Sequence, residues 1–263
     1  MHAHLKIYLQ AGLLWFNESM RWIYLSPHLD DAVLSAGGLI YEQAQSGVPV
    51  EIWTLLCGYA PSEEVSPFAQ ALHQQWGFGS AEETVRLRRA EDQNAAAALG
   101  ASAVHFDFLD CIYRRSANSD WLYSNVFVPP VLDDANLPQQ IADSVSARLL
   151  PDDVLVAQLS VGSHVDHVLV RQASELLGRP LLYDLDIPYL FYHPDEFAPK
   201  SAGMKEKTHF ITESGVRAWQ DAILEYRSQL PWLGEAMSRP EQARESIQAY
   251  WSEWKGIRLF QKH

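Results

Sequence analysis

Two short segments of the sequence concentrate histidine and aspartate. The first is Pro27-His28-Leu29-Asp30-Asp31 and the second is Ser163-His164-Val165-Asp166-His167. Imidazole and carboxylate groups together suit zinc or another divalent transition metal. His28 and Asp31 are three residues apart, so both can face one ion across a strand-to-helix turn. A ligand from the second segment would close the site and leave a position for water, as a catalytic zinc requires.

Each segment follows an apolar run that we interpret as a buried strand, at 21–25 and at 154–159. Helices are predicted directly afterwards, at 31–45 and about 165–177. Strands and helices alternate through the first 180 residues, which favours a Rossmann-like α/β/α fold with a mostly parallel sheet and helices on both faces. Ligands in such folds bind beyond the carboxyl ends of the strands. Both segments are therefore expected at the functional edge of the sheet.

The remaining pattern supports this fold class. Further strands are predicted at 50–57, 104–108, 181–183, 209–212 and 257–260, and further helices at 84–99, 137–150, 216–229 and 241–251. The stretch 110–136 is rich in Ser, Asn, Asp and Pro, which predicts a long functional loop. No linker is evident, so residues 1–263 are predicted to form a single domain, with 1–20 as a candidate N-terminal extension.

Each segment also has a simpler interpretation. Asp30 or Asp31 could cap the following helix, because carboxylates favour helix N-termini. His164 and His167 could be surface residues at the start of a helix, and Asp166 could be an ordinary helix-start carboxylate. Their joint occurrence after two strands of one sheet favours a common site over coincidence.

Composition excludes several classes of protein. The 263 residues include 20 Lys and Arg against 33 Asp and Glu, a formal net charge of −13, which argues against a nucleic-acid partner. The two cysteines, Cys57 and Cys111, cannot form a disulfide framework or a cysteine zinc site. No apolar run approaches the roughly 18–20 residues of a membrane span, and the N-terminus is not typical of a signal peptide. A cytoplasmic location is therefore expected.

The two segments resemble motifs of the LmbE-like or PIG-L family of zinc-dependent N-acetylglucosaminyl deacetylases. That family has a Pro-His-Pro-Asp-Asp-Glu type motif after its first strand and a His-x-Asp-His motif later. Three other segments resemble recurring family segments: Arg88-Arg89-Ala90-Glu91, Ile187-Pro188-Tyr189 and Tyr226-Arg227-Ser228-Gln229. The resemblance covers about residues 21–230.

The resemblance implies roles for the residues of both motifs. His28, Asp31 and His167 are expected to bind the metal, with Zn²⁺ as the expected ion and Fe²⁺ as an alternative. Asp30 is expected to be the general base that deprotonates the attacking water. His164, as an imidazolium, would stabilise the tetrahedral oxyanion.

Asp166 is expected to hold the His164 ring and to favour its charged form. The sequence also departs from the family at three positions. Leu29 and Ala32 replace a proline and a glutamate that are not ligands. Gly162 stands where some members have a tyrosine that assists the transition state, which puts that tyrosine's role in doubt here.

Substrate contacts are expected from three residues. Arg88 matches a family arginine that meets sugar hydroxyls, with a structural ion pair to Glu91 as the alternative. Asp110 and Arg114, at the start of the long loop, are further candidates. Trp121 and Tyr123 in the same loop could stack on a sugar or simply pack the loop down.

These observations predict a metal-dependent hydrolase that removes the N-acetyl group from an N-acetylated amino sugar or its conjugate. The alternatives are an amidase or deacylase that acts on another amide, such as a thiol conjugate or a natural product, and a non-catalytic sugar-binding protein. No Gly-x-Gly-x-x-Gly loop follows the first strand, so a dinucleotide oxidoreductase is not expected. A small-molecule substrate is the expected partner, and the sequence is compatible with a homo-oligomer.

Overall fold

The protein is described by a computed structural model that covers residues 20–263. The expected extension over residues 1–20 therefore lies, except for Met20, outside the described residues. Within the described part, seven strands form one sheet: β1 Trp22–Ser26, β2 Val50–Thr54, β3 Ser102–His105, β4 Val154–Gln158, β5 Leu181–Asp184, β6 Met204–Phe210 and β7 Gly256–Lys262. The helices are α1 Asp31–Gln45, α2 Pro67–Trp76, α3 Ala81–Ala98, α4 Leu137–Ser146, α5 Val165–Leu176, α6 Tyr189–Tyr192, α7 Pro194–Lys200, α8 Glu213–Ile223 and α9 Pro240–Trp254.

The strand order is β3-β2-β1-β4-β5-β7-β6. Strands β1 to β5 are parallel, whereas β7 is antiparallel to both β5 and β6. The chain winds outward in one direction from β1 and in the other from β4, so these adjacent strands flank the point where strand order reverses. Ligands of open α/β sheets bind at such points. The predicted fold class, a mostly parallel α/β sheet with helices, is confirmed.

The central strands are buried because helices cover them. Ile23, Ile52 and Leu155 have no solvent exposure. Helix α1 packs closely against α8, and α4 packs against α5. A Cβ atom at Gly37 of α1 would lie 2.4 Å from the Trp219 ring of α8, so this helix contact requires glycine.

Several sequence predictions differ from the structure. Helix α2 was not predicted, although Ser66 caps it and Pro67 occupies its first turn. Helices α6 and α7 were also not predicted, and the helix expected at 216–229 is α8, which ends at Ile223. Strand β6 begins at Met204 instead of 209, because this exposed strand at the sheet edge is charged rather than apolar.

Among the described residues, no helix has the length and the apolar character that crossing a membrane requires. Residues 110–136 are largely irregular, as predicted, but include two short 3₁₀ helices, Cys111–Tyr113 and Leu132–Asp134. Cys57 and Cys111 are both free and buried.

Candidate active site

The turn between β1 and α1 is held by its own residues. The Ser26 hydroxyl donates to the His28 carbonyl at 2.7 Å and accepts from the Ala32 amide at 3.1 Å. Asp31 Oδ2 accepts from the His28 amide at 2.8 Å. These short-range bonds fix His28 and Asp31 on the same side of the turn, as their spacing predicts.

Asp30 lies at the start of α1, but its side chain does not cap the helix. It is buried, and its Oδ2 atom lies 3.9 Å from Nη2 of Arg88. Burial and the negative charge of Asp31 raise the pKa of Asp30 to about 8. For Asp31, burial opposes ionisation, but the His167 and His28 imidazoles still lower its pKa. Two adjacent aspartates therefore have opposite pKa shifts.

His164 caps the N-terminus of α5. Its Nδ1 atom accepts from the Asp166 backbone amide at 3.1 Å. Since a backbone N–H can only donate, Nδ1 carries no proton and the neutral ring has its proton on Nε2. Burial, with the adjacent His28 and His167 rings, lowers the pKa of His164 well below its usual value. This geometry favours a neutral donor rather than the imidazolium expected from the sequence.

His28, Asp31 and His167 converge on one point. Asp31 Oδ2 lies 3.4 Å from His28 Nδ1 and 3.4 Å from His167 Nε2. Ligands about 2.0–2.1 Å from a tetrahedral zinc lie roughly 3.3 Å apart. Ring nitrogens of His28, His164 and His167 also lie within 4.8 Å of one another.

Two carboxylates on the far sides of the rings orient the histidines. His28 Nε2 lies 2.9 Å from Asp166 Oδ2, and His167 Nδ1 lies 3.2 Å from Asp186 Oδ1. Because an ionised carboxylate only accepts, each of these nitrogens carries a proton, and in the neutral form of each ring the other nitrogen presents a lone pair. Both lone pairs then face Asp31.

The donor set fits a divalent metal ion. His167 Nε2 is buried and has no hydrogen-bond partner among the described residues. When the rings are neutral, two imidazole lone pairs and a carboxylate oxygen converge there, and this set of electron-pair donors is one that a divalent ion can bridge. His28, Asp31 and His167 are therefore the residues that could hold the ion.

Asp166 and Arg114 lie behind this cluster, in a different arrangement from that expected. Asp166 is fully buried, and its carboxylate contacts the His28 ring, whereas only its backbone amide contacts that of His164. Its Oδ1 atom accepts from Arg114, and its Oδ2 atom also accepts from the Cys111 amide at 2.9 Å. Arg114 donates further to Asp134 and to the Leu109 carbonyl, so its guanidinium is occupied by the protein. This placement does not favour a sugar contact by Arg114.

The site opens into a cavity of about 550 Å³. Six of the sequence-predicted residues line it: His28, Asp30, Asp31, Arg88, Asp110 and His164. Arg88 does not pair with Glu91, which instead accepts from Ser228. The Asp110 side chain accepts from the Ile112 amide. Arg88 and Asp110 are thus placed where a substrate could reach them.

Sequence reasoning missed other residues of the site. Tyr189 lies with its ring 5.1 Å from that of His167 and lines the cavity with Trp76, Phe127 and Trp232. Trp121 instead packs against Arg115 outside this lining. The segment Ile187-Pro188-Tyr189 was noted only for its resemblance. Asp186, immediately before it, could have been found as a carboxylate that follows a strand.

The comparisons with known proteins agree with this geometry. The profile of the GlcNAc-PI de-N-acetylase (PIG-L) family matches residues 23–176, more than half of the chain. The chain therefore belongs to this family, as its motifs indicated, and it is an N-deacetylase.

Individual relatives and structures are also similar. A 2'-N-acetylparomamine deacetylase from Niallia circulans is 26% identical over 231 residues, 81% of this chain and 82% of that protein. The zinc-inhibited form of teicoplanin deacetylase Orf2 is 25% identical with a TM-score of 0.79, covering 92% of this chain and 97% of that one. The A40926 pseudoaglycone deacetylase Dbv21 is 26% identical with a TM-score of 0.72, covering 92% and 96% of the two chains.

Proposed function

We propose that this enzyme hydrolyses the N-acetyl group of an amino sugar within a larger conjugate, with Zn²⁺ as its metal. The observation that carries this proposal is the convergence of His28, Asp31 and His167 beside a large cavity that His28 and Asp31 line. Relatives named for deacetylation of 2'-N-acetylparomamine and teicoplanin support the substrate class.

His28, Asp31 and His167 would hold the ion, with Asp166 and Asp186 orienting the two imidazoles. When bound, a divalent ion supplies Lewis acidity to the acyl oxygen and to the attacking water. Side chains of this protein carry out the proton transfers and stabilise the oxyanion.

Asp30 is the proposed general base and acid. It is next to the proposed ligand Asp31, lines the cavity and makes no helix cap. It takes a proton from the attacking water as the new C–O bond forms at the acetyl carbon. It then returns a proton to the amine nitrogen as the C–N bond breaks, which releases acetate and the free amine.

His164 is the proposed oxyanion donor. Because Nδ1 accepts from the Asp166 amide, Nε2–H is the ring atom left to donate to the oxygen of the tetrahedral intermediate. Tyr189 adds a hydroxyl group on the same side of the cavity. The Tyr189 ring lies 6.5 Å from that of His164, so this hydroxyl is a second candidate donor to the acyl group.

The rest of the cavity would bind the sugar and its substituent. Arg88 and Asp110 offer a donor and an acceptor for sugar hydroxyls. Beyond them, the Trp76, Phe127 and Trp232 rings offer apolar faces, and Gln229 offers an amide. A cavity of about 550 Å³ with aromatic walls and a few polar groups suits a conjugate better than a small free acid.

A panel of N-acetylated amino sugars and glycoside conjugates, assayed for acetate and free amine, tests this proposal. Each compound is paired with the N-acetyl amino acid closest in size, and each assay is run after metal removal and after Zn²⁺ is restored. We expect zinc-dependent release from sugar conjugates and little from amino acids. Thiol-conjugate amides are assayed alongside the panel, and release from them alone would support the amidase alternative. Tight binding of a sugar without release of acetate would support a binding protein.

A further inference from the structure

The loop between β4 and α5 has an unusual backbone. Ser160, Gly162 and Ser163 have positive φ angles of 61°, 84° and 56°. Residues with side chains rarely adopt this left-handed region, so two serines in one short loop need contacts from outside to hold them there. His164 follows directly, so the conformation of the loop sets where its ring lies.

Helix α7 provides those contacts. Glu196 Oε2 accepts from the Gly162 amide at 3.1 Å and from the Ser163 hydroxyl at 2.8 Å. Lys200 Nζ donates to the Ser160 carbonyl and, at 2.7 Å, to the Ser163 hydroxyl. The Glu196 and Lys200 side chains also pair with each other at 2.8 Å. One ion pair therefore contacts all three residues that have positive φ.

Helix α6, which directly precedes α7, also packs against this loop. A Cβ atom at Gly162 would lie 2.7 Å from Cδ1 of Tyr189, so the tyrosine ring lies where a side chain at 162 would start. Tyr189 lines the cavity, whereas Glu196 and Lys200 are not among its lining residues. The ion pair thus does not reach the cavity directly, and its side-chain contacts connect it to the loop.

We propose that Glu196 and Lys200 are positioning residues that hold residues 160–163 in their left-handed conformation and thereby fix His164 beside the reacting acyl group. Their contribution to catalysis rests on the proposed function, since it operates through His164. Their hold on the loop does not depend on it.

Kinetics of Lys200→Met and Glu196→Gln test the catalytic part in the full chain. A misplaced catalytic group can lower the rate about 10- to 100-fold, so we expect a fall in kcat of this size. KM should stay within about twofold, because neither side chain reaches the cavity. Lys200→Arg keeps a cationic donor and should recover most of kcat, and bound metal should stay at the wild-type level. A change in KM alone, or loss of metal in proportion to activity, would overturn the proposal.

Amide hydrogen exchange of the peptide 159–168 tests the loop itself without any substrate. Exchange should be faster in Lys200→Met and Glu196→Gln than in the parent. The control is Arg217→Met, which removes an exposed i,i+4 ion pair to Glu213 on α8. Unchanged exchange in both variants would refute the positioning role. Faster exchange in a protein that deacetylates nothing would keep the role in holding the loop and refute the proposed function instead.

Discussion

The two segments that build the site are held in different ways. The turn after β1 is fixed by bonds among Ser26, His28 and Asp31, all within a few residues of one another. The loop after β4 has local bonds from the Ser160 hydroxyl and the Ser163 amide, but it also contacts Glu196 and Lys200, more than 30 residues further along the chain. The first segment can therefore form with its own strand and helix, whereas the second is complete only when α7 has docked. Substitutions in or behind the two segments should separate metal binding, proton transfer and positioning.

The largest effect is expected for His167→Ala. This change removes the buried Nε2 atom, which faces Asp31 and is proposed to bind the metal through its lone pair. Both bound metal and deacetylase activity should therefore be lost. Elemental analysis of protein purified without chelator should find near one equivalent of metal in the parent and little in the variant. A variant that held the metal as tightly as the parent would remove His167 from the ligand set.

Asp30→Asn in the first segment should give a different pattern. Its carboxylate is proposed to move protons and not to bind the ion, so kcat should fall about 10²- to 10⁴-fold with most of the metal retained. Metal content and kcat are measured on the same preparation. If both fell together, Asp30 would be a ligand, and full activity would dismiss it from the mechanism.

His164→Ala tests the donor in the second segment. Its Nε2–H is proposed to act mainly in the transition state, so kcat and kcat/KM should fall by similar factors, about 10²- to 10³-fold, with KM little changed. Steady-state kinetics on a conjugate substrate gives both quantities. A rise in KM alone would make His164 a binding residue, and an emptied metal site would make it a fourth ligand.

The smallest effect is expected behind the second segment, for Asp186→Asn. The amide can still accept from His167 but lacks the charge that strengthens this bond, so metal affinity should fall about 10- to 100-fold. Competition with a metallochromic chelator measures this affinity.

Asp184→Asn is the matched control for that measurement. Asp184 is a buried carboxyl group two residues away, and burial and the charge of Asp186 raise its pKa well above the usual range. In the described part of the chain its carboxyl group accepts from the Asp186 amide and not from His167, and an amide oxygen can still accept that bond, so Asp184→Asn should bind metal like the parent. Equal losses in the two variants would point to a general effect of this strand end.

The sequence predicted the parallel part of the sheet well because strands β1, β2 and β4 are short apolar runs followed by helix signals. Strands and helices that lack an apolar pattern were predicted less accurately. Strand β6 is exposed and charged, and the short helices α6 and α7 pack through contacts with distant residues. Helix α2 had a capping serine and an N-terminal proline that could have revealed it.

The site divides in the same way. Residue types and spacing predicted that His28 and Asp31 share one ion with a ligand from the second segment, because parallel strands place their carboxyl ends at one edge of the sheet. The family resemblance named His167 as that ligand. Spacing could not assign the partners of the carboxylates behind them. The Asp166 carboxylate was expected to hold His164 two residues away, but it contacts His28, 138 positions distant, and only the Asp166 backbone amide contacts the His164 ring. Arg114 was expected at a sugar and instead donates to Asp166.

Sequence alone determined which groups are available to this protein: imidazoles and carboxylates suited to a metal, an adjacent aspartate that we propose for proton transfer, and the α/β fold that brings them together. These follow from local hydrophobic patterns and motifs, which short-range physics fixes. Tertiary structure decided which nitrogen of each histidine faces the site and which carboxylates orient the rings. It also decided that Tyr189 and α7 complete the loop before His164. Those contacts join residues far apart in the chain, so only the packing of the folded protein selects them.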